Sequence, residues 1–80
     1  MNKKLRVACY EFLNACMEKI KEKEEEGYGG WDKPELIKYL EEGLIEHTKK
    51  ILTQDNLVDI ANYCIFLWNL IEEKGGEIIE

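Results

Sequence analysis

The sequence predicts an all-α fold: a three-helix antiparallel chain assembling into an oligomeric helical bundle. Three observations predict it. Apolar residues recur at three- and four-residue steps through most of the chain, the helical period. No segment offers a strand. Glycines, a proline and capping residues divide the periodic stretches into helices at about 3–25, 33–52 and 55–74. Eighty residues set one domain, 1–80, as the ceiling. A domain this small buries only about 60% of the surface of its unfolded chain. Its apolar stripes are more than a monomer covers easily, so a homo-oligomer is expected.

The first helix carries Leu5, Ala8, Cys9, Phe12, Leu13, Cys16, Met17 and Ile20 on its apolar side, with lysine and glutamate elsewhere. Its charged end, KEKEEE, reads as a solvated last turn. Gly27, Gly29 and Gly30 then supply turn conformations. The second helix has Asp32 as N-cap, Pro34 in the first turn and Glu35 at capping-box spacing. Its stripe is Ile37, Leu40, Leu44 and Ile51, with Leu36, Ile45 and Leu52 beside it, and His47 and Thr48 where the stripe should continue. Gly43 interrupts it at a cost of about 1 kcal/mol against alanine. Thr53 or Asp55 caps the third helix, and Gly75-Gly76 ends it. This last helix is apolar almost all round, the signature of a helix covered on several sides.

The net charge of −6 and pI near 4.8 argue against nucleic acid, whose phosphates an acidic chain repels. The stretch Leu57–Ile71 is too short and too polar to cross a membrane. Cys9, Cys16 and Cys64 form no CxxC or Cys/His ligand spacing, so they read as buried reduced thiols, consistent with a cytoplasmic location.

Within the third helix the polar residues are not scattered. Asp59, Asn62 and Asn69 share one face with Phe66. A buried carboxylate needs a cation, hydrogen-bond donors or water. Glu42 and Glu46, four apart on the second helix, could join Asp59 in an oxygen-rich cluster suited to magnesium or manganese. The competing reading is a solvent face beside Lys49 and Lys50, with Asp59 capping a neighbouring helix or pairing with His47.

The order of the glycine loop with Gly29-Gly30-Trp31, the acidic helix LEEGLIEH and then LVDIANYCIFLW resembles the MazG-like all-α nucleoside triphosphate pyrophosphohydrolases over about residues 10–72. The DIAN segment is the most specific part. The resemblance implies a helical dimer or tetramer. It also implies magnesium held by an E-x-x-E motif on one helix and an E-x-x-D motif on the next, with cleavage of a nucleotide to monophosphate and pyrophosphate. Carried onto this chain, the metal ligands are Asp59 and one or both of Glu42 and Glu46. Asn62 would hydrogen-bond phosphate or a ligating carboxylate, and Trp31 and Tyr28 would stack on a base. Trp31 has a second reading as a loop anchor on the bundle. The chain departs from the pattern twice: Asn56 stands where the second motif has glutamate, and Gly43 or Ile45 stands in the first. Two readings of function follow. One is a magnesium-dependent pyrophosphohydrolase with weak or lost activity. The other is a non-catalytic helical oligomer that binds a nucleotide or a protein. A third, purely structural reading makes the polar stripe a device that fixes helix register.

Overall fold

The computed structural model describes residues 1–73 and, within them, only helices and their connections. Helix α1 spans Lys3–Glu25, a 3-10 turn spans Pro34–Leu36, α2 spans Ile37–Thr48 and α3 spans Gln54–Glu73. The expected end at Gly75-Gly76 lies outside the described residues. Among those residues, no helix is long and apolar enough to cross a membrane.

Local chemistry accounts for most of the boundaries. Asn2 caps α1 by accepting from the Leu5 amide at 2.8 Å. At the other end Tyr28 N–H donates to Lys23 O, and Gly27 N–H donates to Glu24 O, each at 3.0 Å. This paired closure needs a left-handed residue, and Gly27 supplies it at φ 94°. Gly30 takes φ 76° later in the same loop. Thr53 caps α3, its Oγ1 accepting from Asn56 N–H at 3.0 Å.

The start of the second helix differs from expectation. The 3-10 turn begins after Lys33, with no side-chain cap, so Asp32 does not fill that role. Pro34 does occupy the first position, where its missing N–H is harmless. The helix also ends four residues early, at Thr48, whose hydroxyl donates back to Ile45 O at 2.6 Å. Ile51 and Leu52 therefore fall in the connection and are exposed.

Helix α3 is the central element. Asn62 of α3 meets Cys16 of α1, and Asp55 and Asp59 meet Lys19, so α1 and α3 are antiparallel. His47 meets Asn56 and Gly43 lies against Tyr63, so α2 and α3 are antiparallel as well. Helices α1 and α2 consequently run in the same sense on two sides of α3. This corrects the simple up-down-up order: the glycine-rich connection crosses back along the bundle instead of making a tight hairpin. Its Trp31 stacks on Phe66 with ring centroids 5.3 Å apart, which fixes the crossing segment to α3.

The core is small. Ile37 and Leu40 pack with Leu67 and Leu70, and Leu36, Leu44, Tyr63 and Phe66 surround them. Of the apolar side of α1, only Cys16 is buried; Leu5, Phe12, Leu13 and Met17 are exposed in the single chain. Cys9 and Cys64 are exposed too, contrary to the expectation of three buried thiols. The reason is geometric: among the described residues α1 has α3 alone as a close neighbour, and α3 has partners on two sides out of three.

Candidate functional site

The crossing loop creates a cavity of about 410 Å³ between α1 and α2, with α3 as its floor. Helix α1 contributes Lys19, Ile20, Lys23 and Glu24. The loop contributes Tyr28 and Trp31, and α2 contributes Tyr39 and His47. The floor is Asp59, Asn62, Tyr63 and Phe66, which includes most of the polar face read from the sequence. Tyr28, Trp31, Asp59 and Asn62 are therefore brought to one site. Asn69, the last of that polar face, is half-buried and is not part of the lining.

Each polar group has a distinct environment. Asp59 faces Lys19 at 3.8 Å, and Asp55 accepts from the same ammonium at 3.4 Å. Asp59, then the hydrogen bond to Asp55, hold the Lys19 ammonium protonated above the ordinary lysine range. The expected alternatives for Asp59, a helix cap or His47, are thus replaced by a lysine from α1. Burial pushes the Tyr63 hydroxyl up, with Tyr39 and Asp59 adding to the effect. Asn62 is 7% exposed; its amide donates to Cys16 O at 3.3 Å, and its Oδ1 has no hydrogen-bond partner. A buried acceptor left unmade costs about 1–3 kcal/mol, so this atom marks a demand for a donor. Trp31 is both anchor and lining residue. Tyr28 is exposed, with Lys23 Nζ 4.9 Å from its ring centroid.

The carboxylates expected to share a metal are not gathered. Glu42 is exposed, and Glu46 is exposed and pairs with Lys49 at 3.6 Å. Among the described residues no three of His, Cys, Asp and Glu stand close enough to hold a metal ion. The cause is the phase of α2. The turn that buries Ile37 and Leu40 and brings Gly43 against α3 points Glu42 and Glu46 away from Asp59.

The two departures from the acidic motifs are occupied by a neutral bracket. A Cβ on Gly43 would lie 2.7 Å from the Tyr63 ring, so any side chain there displaces Tyr63. Tyr63 packs on His47 with centroids 5.2 Å apart. His47 Nδ1 and Asn56 Oδ1 lie 2.9 Å apart, and Asn56 Nδ2 donates to His47 O at 2.9 Å. Asn56 is buried, and it closes the C-terminal end of α2, where carbonyls lack helical partners. Where a metal site would need acids, this chain has a packed tyrosine and a hydrogen-bonded amide. The residues present do not fit a magnesium ion within one chain.

Sequence reasoning missed Lys19, Tyr39 and Tyr63 as site residues. Lys19 was findable, since it lies three residues after Cys16 and seven after Phe12, in phase with the apolar stripe. Gly43 also carried a signal, because an interior helical glycine often marks a close approach by a neighbour. No protein-family model, no curated protein and no solved structure matches this chain.

Proposed function

We propose that this chain is a MazG-like helical protein that binds a nucleotide without hydrolysing it and works as an oligomer. One observation carries the reading: the partnerless Oδ1 of buried Asn62 beside an aromatic-lined cavity with two lysines. A planar heterocycle with an N–H donor would meet that acceptor, which is closed to solvent in the free chain, on a turn of the Asn62 amide toward the cavity, and would stack among Trp31, Tyr63 and Phe66. Lys19 and Lys23, ion-paired in the free chain with Asp55 and Asp59 and with Glu26 respectively, are the cations that would turn to an anionic group attached to the ring. The cavity is of the size that small ligands occupy. Loss of hydrolysis is supported by the neutral Gly43–Tyr63–His47–Asn56 bracket and by Glu42 and Glu46 facing outward.

Calorimetric titration of a nucleotide panel, in EDTA and in magnesium, tests this. Binding in EDTA that disappears in Asn62→Leu, with no pyrophosphate released in magnesium, is the expected result. Asn62→Leu should at the same time leave the fold as stable or raise stability by about 1 kcal/mol, because it removes an unmet acceptor. Pyrophosphate release in magnesium would overturn the non-catalytic reading, and failure of every nucleotide to bind would overturn the ligand.

A further inference from the structure

Helix α3 carries no charged residue from Ile60 to Ile71, yet among the described residues only α1 and α2 with its loop cover it, on two of its sides. The third side presents Leu57, Cys64, Ile65 and Trp68 as exposed residues, with half-buried Ala61 between them. These positions recur at i, i+4, i+7, i+8 and i+11, one continuous helical stripe. It lies opposite Asn62 and Phe66, so it is separate from the cavity. On α1 the exposed Leu5, Leu13 and Met17 share their face with Arg6, whereas the α3 stripe carries no charged residue.

Area points the same way. A folded monomer of this mass exposes about 5,000 Å², whereas this chain exposes 6523 Å². Deducting the most that residues 74–80 could expose still leaves several hundred Å² per chain, on the scale of the ~800 Å² that each partner gives to a stable interface.

We infer that the outer stripe of α3 is a homodimer interface in which α3 crosses its copy about a two-fold axis near Cys64. A second copy is the occupant because an uncharged stripe needs an uncharged counterpart, and two chains of charge −6 repel wherever charged faces meet. In an isologous contact the residue at the centre of the stripe meets itself. The centre of Leu57–Trp68 falls between Ala61 and Cys64, where the small Ala61 lets the helices approach closely. Both cavities then face outward, away from the axis.

This inference rests on the assembly part of the proposed function and sharpens it. The test uses the full chain, with light scattering for mass and a short bis-maleimide that joins neighbouring thiols. The expected result is a dimer of twice 9.4 kDa, cross-linked in wild type and in Cys9→Ser but not in Cys64→Ser. Ile65→Lys should weaken dimerisation by about a hundredfold or more, since it places an unpaired charge in the apolar centre. Trp68→Lys should do the same, and at 67% exposure it breaks nothing inside the single chain. Unchanged helical circular dichroism in either variant separates lost assembly from lost folding. A dimer that survives both lysines, or that cross-links through Cys9 instead, would overturn the α3 face while leaving oligomerisation intact. A monomer at several hundred micromolar would overturn both.

Discussion

Replacing Gly43 by alanine should destabilise the protein, although alanine is the better helix former. The added Cβ would lie 2.7 Å from Cε1 and Cζ of Tyr63 and 2.8 Å from its hydroxyl. Carbon atoms prefer separations of about 3.5–4.0 Å, so the ring or the helix must give by nearly 1 Å. Tyr63 is constrained by its packing on His47, whose ring Nδ1 is held in turn at Asn56. Overpacking of this kind costs about 1–3 kcal/mol, and the propensity gain offsets about 1 kcal/mol. The net loss is about 1 kcal/mol, a fall of about 4–8 °C in Tm for a domain of this size. In a Tyr63→Ala background the obstruction is gone, and the same substitution should stabilise by about 1 kcal/mol. Urea unfolding followed by circular dichroism, at one fixed chain concentration, measures the four corners of this cycle. If alanine at position 43 stabilises equally in both backgrounds, Tyr63 does not press on Gly43 and the bracket argument fails.

Three further outcomes follow from the same geometry. Asn56→Leu removes the contacts to His47 at both ends of the amide and should cost about 2 kcal/mol in urea unfolding. Asn56→Glu places an acid at that position but should also destabilise, and calorimetry should detect no gain of magnesium binding, because Glu42 and Glu46 still face away. Alkaline pH should weaken the fold through two groups. Tyr63 and Lys19 both have folded pKa values raised above the ordinary 10.0 and 10.5, so their stabilising contribution is complete below those values and lost as pH rises through the higher folded ones. Stability measured from neutral pH to above about pH 10 should fall, and Tyr63→Phe and Lys19→Met should each flatten that fall.

The fold and the site were legible to different depths. The helical periods of all three segments, the Thr53 cap and the role of Gly27 follow from interactions between residues a few positions apart. Such interactions are present in any arrangement of the helices. Of the polar face, Asp59, Asn62 and Phe66 line one cavity and Asn69 does not. The partner of Asp59 did not follow from local spacing, because Lys19 belongs to a helix 40 positions earlier and meets it only after α1 packs antiparallel on α3. The pairing of His47 with Asp59 does not form; the turn between α2 and α3 brings Asn56 to His47 instead.

By itself, then, the sequence determined three helices, where most of them begin and end, and which face of α3 is polar. Those features depend on backbone hydrogen bonds, caps and side chains one or two turns apart. The tertiary structure alone decided that α1 and α2 run in the same sense, that Trp31 closes a cavity over Phe66, and that Glu42 and Glu46 turn outward. It also turned Gly43 from a weak helix residue into the seat of the Tyr63 ring. Helix phase and long-range packing set these outcomes: a rotation of α2 that buries Ile37 and Leu40 fixes, at the same moment, which of its acids can approach Asp59.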